Sequence, residues 1–136
     1  MTVKTMNASA PSVYKNRGQQ AELVYRFTVT GQVCKADNTP SWISGDCGST
    51  QVKSARATIC KGRNIAAHIA ADAATEYAYV TADFTIAYIM TPVEWLKFAT
   101  LFGTVTRESQ ANGGAEKTRL GKETRAMREW LENHSC

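Results

Sequence analysis

Four residues in the first half of the chain, Glu22, Asp46, Gln51 and Lys53, have the types and spacing that phosphodiester hydrolysis needs. Gln51 and Lys53 are two apart in a β-prone run, so a strand places them on one face, about 6–7 Å apart along it. Val52 and Ser54 then point the other way. Asp46 precedes the tight turn marked by Gly48 and Ser49, and a hairpin there brings it beside Gln51. Glu22 belongs to a preceding helical segment that can pack on the sheet. Paired carboxylates of this kind hold Mg²⁺, a hard cation that prefers oxygen ligands, with Mn²⁺ as a substitute. Such a metal polarises the scissile phosphate and lowers the pKa of a bound water. A lysine beside it orients or activates that water and offsets charge on the phosphorane. Gln51 offers its amide oxygen as a neutral ligand, and Asp37 is the alternative to Asp46 as a metal-binding carboxylate.

These residues sit in a basic field. The 136 residues include 16 Lys+Arg and 12 Asp+Glu, for a net charge of +4. Residues 1–70 hold nine basic and three acidic residues, a net of +6, whereas residues 71–136 hold seven basic and nine acidic, a net of −2. A basic half predicts a polyanionic partner, DNA first. Its three acids are Glu22, Asp37 and Asp46, the same carboxylates the hydrolytic site would use. Arg17, Arg56, Lys61 and Arg63 flank that site in sequence, where phosphate contacts are useful. Lys117 and Arg119 follow the SQANGG loop and are the further candidates for nucleic-acid binding. Tyr77, Tyr79 and Tyr88 read as core or sheet residues rather than base-stacking platforms.

Composition excludes several classes. Apolar residues make up 43% and charged residues 21%, which fits one globular domain and not a disordered chain. No apolar run reaches the roughly 18 residues of a membrane span. The opening MTVKTMNASAPSVYKN has no apolar stretch of secretory length, so a soluble, cytoplasmic protein is expected, without a membrane partner. Cys34, Cys47, Cys60 and Cys136 lack the short spacings of a zinc site or a redox dithiol, and free thiols are expected. His68 and His134 are far apart, and His68 reads as a helix-face residue. Together these exclude an HNH nuclease, a zinc hydrolase and a Cys–His nucleophile.

The elements that must position the site follow from periodicity. Residues 1–12 read as a flexible tail and 13–136 as a single domain. The spacing predicts a helix over 15–29, a short strand over 32–37, and one strand over 50–59. A short helix is expected over 64–74, then two strands over 76–91 with a turn near Ala82 and Asp83. Thr91, Pro92 and Glu94 form a capping-box pattern that opens a helix to about Phe102, burying Trp95, Phe98 and Leu101 or Phe102. Residues 104–120 read as a loop with Gly113 and Gly114 at its tip. A final helix over 121–134 carries Met127, Trp130 and Leu131 on its apolar side. The order implies an α/β fold with a single mixed β-sheet flanked by helices.

The strings RGQQAEL (Arg17–Leu23) and SGDCGSTQVKSAR (Ser44–Arg56) resemble the PD-(D/E)XK nuclease superfamily. They present a helix-borne Glu, an Asp at a strand end and a (Glu/Gln)-x-Lys on the next strand. The resemblance covers roughly residues 15–60, and Gln51 stands where the family's usual Glu is found. In compactness the chain is similar to the mismatch-repair nicking endonucleases and to small phage- or prophage-type members. The resemblance implies a restriction-endonuclease-like core and a Mg²⁺-dependent endonuclease acting on DNA, with Glu22, Asp46, Gln51 and Lys53 at its centre. One small domain carries one centre, so cutting both strands favours a homodimer. Two other classes stay open: a binding module of the same fold without catalysis, and a phage-type protein-interaction or inhibitor protein docking through Trp42 or Trp130.

Overall fold

Aromatic and β-branched residues crowd the stretch from Glu76 to Met90. In the computed structural model, which describes residues 1–6, 17–30 and 49–135, this stretch forms the middle of a four-stranded sheet. In chain order the elements are β1 (Thr2–Thr5), α1 (Arg17–Thr30), β2 (Thr50–Ser54), β3 (Thr58–Lys61), α2 (Ile65–Ala71), β4 (Glu76–Val80) and β5 (Ile86–Met90). Then come α3 (Pro92–Phe102), β6 (Gly103–Arg107), a 3₁₀ turn (Gln110–Asn112), β7 (Glu116–Leu120) and α4 (Arg125–Asn133). The first sheet has the order β1-β5-β4-β2. Its pairs are antiparallel except β2 with β4, which run parallel. The second sheet, β3-β7-β6, is antiparallel throughout.

The fold is thus α/β, but the described residues build two sheets where a single one is expected. The cause is local. The run 50–59 is not one strand: Arg56 takes a left-handed backbone (φ 64°). The Ala57 N–H closes the turn on the Ser54 carbonyl at 3.2 Å, and the Arg56 N–H donates to the Gly121 carbonyl at 3.0 Å. The chain leaves the first sheet at Ser54 and enters the second at Thr58. Residues 103–120, read as a loop from 104 onward, supply the rest of that sheet as the β6–β7 hairpin. Gly113 (φ 96°) and Gly114 (φ 67°) make the tight return.

Alternation along β4 and β5 divides the core in two. Tyr77, Tyr79, Tyr88 and Met90 face Trp95 and Phe98 of α3, Met127 and Leu131 of α4, and Ile59, Cys60 and Leu120 of the second sheet. Tyr77 stacks on Trp95, with ring centroids 5.4 Å apart and planes 3° from parallel. Ala78, Val80 and Ala87 take the opposite face, where they meet Val52 of β2 and Ala21, Val24 and Tyr25 of α1. Helix α3 starts as its sequence dictates. Thr91 Oγ1 accepts from the Glu94 N–H at 3.2 Å, and Glu94 Oε1 accepts from the Thr91 N–H at 3.0 Å. That backbone hydrogen bond holds the Glu94 carboxyl below the usual carboxylate range.

One further expectation is corrected and another is resolved. Residues 2–5, assigned to a flexible tail, form β1 and pair with β5. All four β1 side chains are exposed, so no alternation marks the strand, and its backbone hydrogen bonds hold it. Residues 7–12 lie outside the described residues. Of the two alternatives at the end of α3, Phe102 packs against the core and Leu101 is 61% exposed, away from the buried stripe of Trp95, Phe98 and Ala99. No described helix is long and apolar enough to cross a membrane.

Candidate functional site

Helix α1 begins beside the turn that joins the two sheets. Gly18 and Glu22 are four apart and share a helix face. They, with Arg17, line a cleft of about 470 Å³ whose other walls are Lys53, the Ala55–Ala57 turn, Thr58 and Arg119. Two of the four predicted central residues, Glu22 and Lys53, therefore meet in one cleft, together with Arg17, Arg56 and Arg119.

They arrive from different directions. Val52 packs with Ala21 and Val24 on the α1 side of the sheet. Gln51 and Lys53 consequently project from the opposite face of β2. Among the described residues β2 is the outermost strand of its sheet. The cleft straddles that strand and receives Glu22 from one side and Lys53 from the other. Lys53 Nζ donates to the Thr58 carbonyl at 3.2 Å, which holds the ammonium over the turn. Gln51 is half-buried and does not line the cleft.

The arginines are held by the backbone and by one ring. The Arg17 guanidinium donates to the Ala82 carbonyl and lies 5.0 Å from the Phe84 ring centroid. Arg119 Nη2 donates to the Arg56 carbonyl at 2.9 Å. A second cleft of about 330 Å³ shares Arg17, Ala55 and Arg56 and adds Lys122 and Glu123. Glu123 Oε1 accepts from the Tyr79 hydroxyl at 2.6 Å and from the Ala82 N–H at 3.1 Å. Its Oε2 is 3.5 Å from Arg128 Nη1. Burial, reinforced by the Glu123 carboxylate, pushes the Tyr79 phenol far above its ordinary range, so it stays a neutral donor. Ala82 thus joins two groups, with its N–H on Glu123 and its carbonyl on Arg17. Neither Phe84, Glu123 nor Lys122 stands out in sequence, because each acts through the β4–β5 turn or the approach to α4.

The remaining candidates separate. Lys61 is exposed on β3 and Lys117 half-exposed on β7, away from the cleft. Lys117 Nζ is 3.0 Å from Glu108 Oε1. Arg63, beyond the far end of β3, pairs with Glu116 at 2.6 Å, and Arg107 reaches the other oxygen of the same carboxylate. Asp37 and Asp46 lie outside the described residues, as do Cys34, Cys47, Cys136 and Trp42. Cys60 is a buried free thiol, and His68 is exposed on its helix.

Comparison with known protein families, curated proteins and solved structures finds no match to this chain. The chemistry of the site therefore rests on its own residues. Among the described residues, four cations, Arg17, Lys53, Arg56 and Arg119, line the cleft together with one carboxylate, Glu22. Such a cleft attracts phosphate oxygens and offers them fork-shaped donors. Glu22 and Gln51 carry hard oxygen donors of the kind Mg²⁺ accepts. Among the described residues, however, no three His, Cys, Asp or Glu side chains gather as a metal site.

Proposed function

We propose that this chain is a Mg²⁺-dependent endonuclease acting on DNA, with a backbone phosphate seated in the cleft. The observation that carries the reading is the meeting of Glu22 and Lys53 in a cleft that Arg17, Arg56 and Arg119 also line. Glu22 would supply one ligand to the cation and Asp46 (or Asp37) the second carboxylate, whereas Gln51, which does not line the cleft, is left out of the ligand set. The cation, when bound, would polarise the phosphate and acidify a water. Lys53 supplies a positive charge beside the phosphate and the attacking water. Arg17, Arg56 and Arg119 hold the backbone and offset the charge that develops on the phosphorane. A single centre nicks, and cutting both strands would use two copies of the chain in a homodimer.

A second reading, a DNA-binding module without hydrolysis, is favoured by the charge of the cleft. Among the described residues the cleft sets four cations against one carboxylate, a balance that favours phosphate binding. The test is a Mg²⁺ or Mn²⁺ cleavage assay on supercoiled plasmid, linear duplex and a four-way junction. Wild type is compared with Lys53→Ala, Glu22→Gln and Asp46→Ala, each checked for folding by circular dichroism. Metal-dependent cutting lost in all three variants is the expected result. Absence of cutting with retained binding selects the module, and absence of both rejects the nucleic-acid reading.

A further inference from the structure

Directly opposed residues in an antiparallel sheet project from the same face. In the second sheet Thr58, Arg119 and Thr104 are opposed, and so are Lys61, Lys117 and Thr106. Thr118 and Leu120 alternate with them on β7 and are buried toward the core. The outer face therefore carries three cations, Lys61, Lys117 and Arg119, among three threonines. Among the described residues one acid reaches it, Glu108, 3.0 Å from Lys117. Arg119 and Thr58 also line the cleft, so face and cleft are continuous. Arg119 and Lys117 are two apart on β7, a separation of about 6.8 Å, close to the distance between neighbouring phosphates along one DNA strand.

We propose that the outer face of the β3–β7–β6 sheet is a second contact surface for nucleic acid, holding duplex phosphates that lie beyond the cleft. The proposal rests on the reading of the cleft as a nucleic-acid site. The chemistry of the face selects its occupant. Ammonium, guanidinium and hydroxyl groups donate to phosphate oxygens. Among the described residues no aromatic ring stands on this face, and Tyr25, Tyr77, Tyr79 and Tyr88 are buried in the core. The described face thus offers phosphate donors rather than the stacking platform on which single-strand binders depend or the apolar side chains that dip into a lipid surface.

The test measures anisotropy of a labelled duplex of about 25 base pairs, and of its separated strands, between roughly 50 and 200 mM salt without divalent metal. The full chain is compared with Lys61→Ala/Lys117→Ala, with Lys61→Glu, with the cleft variant Arg17→Ala and with Lys97→Ala. Lys97 is exposed on α3 and serves as the charge control, and Lys61→Glu leaves the Lys117–Glu108 pair untouched. The expected result is tighter binding of duplex than of either strand. The slope of log K against log salt should fall by about 1.8 in the double variant, from two lost phosphate contacts. It should also fall in Lys61→Glu and stay unchanged in Lys97→Ala. An unchanged slope in both Lys61 variants, an equal fall in Lys97→Ala, or tighter single-strand binding overturns the surface. If Arg17→Ala alone weakens binding, the surface is wrong and the cleft reading stands. If the wild type binds neither duplex nor strand, both fall, and an acidic protein becomes the partner to seek.

Discussion

Arg17 stands over the ring of Phe84, its guanidinium carbon 5.0 Å from the centroid, and Phe84 holds that ring in place from a left-handed backbone (φ 60°). A bulky residue with positive φ carries a local conformational cost. Here the unfavourable turn supports one of the cleft's cations. An exposed guanidinium over such a half-buried ring gains about 0.5–1 kcal/mol. Phe84→Ala should therefore weaken DNA binding by about two- to fivefold. Arg17→Ala should weaken it at least as much, and the double variant no more than Arg17→Ala alone. Titration of a labelled duplex with the three variants checks this. Additive losses would mean that Phe84 acts on something other than Arg17.

Arg56, the other described residue outside glycine with positive φ, lies at the junction of the two clefts. Its backbone is fixed by the Gly121 carbonyl and by Arg119. Glycine adopts φ 64° without a Cβ penalty, whereas alanine keeps it. Arg56→Gly should bind DNA as weakly as Arg56→Ala yet melt at a higher temperature. The stability difference should be about 1–2 kcal/mol in favour of glycine. Calorimetry and anisotropy on the same two preparations separate the backbone effect from the side-chain effect.

What the chain discloses before folding depends on how local each feature is. The Thr91–Pro92–Glu94 start of α3 is written in neighbouring residues, and the structure contains that capping box. The β4 and β5 strands announce themselves by aromatic content. By contrast, β1 and β6 expose nearly every side chain, so neither carries an alternating pattern. Each is a strand because a neighbour offers it backbone partners. The break at Arg56 is hidden for another reason, since arginine gives no hint of a left-handed turn. Glu22 and Lys53 are legible as chemical types. Their meeting across β2 depends on which face Val52 takes against α1, and tertiary packing decides that.

Gly103 joins α3 to β6 with φ in the ordinary range, so its requirement is space rather than conformation. A Cβ there would lie 2.5 Å from the Ala99 carbonyl oxygen and 2.9 Å from Ile59 Cδ1. The carbonyl belongs to the last turn of the helix and cannot withdraw without opening it. Gly103→Ala should destabilise the fold by about 1–3 kcal/mol, as overpacking does. Urea unfolding followed by Trp fluorescence measures this. A midpoint equal to that of wild type would show that the joint can relax.

Asp83 couples acidity to the site through the β4–β5 turn. Its Oδ1 accepts from the Thr85 hydroxyl at 2.7 Å, the Thr81 hydroxyl at 2.7 Å and the Thr85 N–H at 3.2 Å. These bonds, the Thr85 hydroxyl first, hold the carboxyl below its ordinary range. A carboxyl depressed in the folded state stabilises above its unfolded pKa of about 3.9, and that contribution is lost as pH falls through the folded value. Protonation also removes acceptors from the turn that carries Ala82 and Phe84, the two residues on which Arg17 rests. Wild type should therefore lose stability between neutral pH and about pH 3 more steeply than Asp83→Asn. At neutral pH Asp83→Asn should be the less stable of the two and should bind DNA more weakly, since Arg17 loses its platform. Unfolding curves at both pH values, paired with binding at neutral pH, decide the matter. Parallel pH profiles for the two proteins would place the acid sensitivity at another carboxylate, with Glu94 the next to examine.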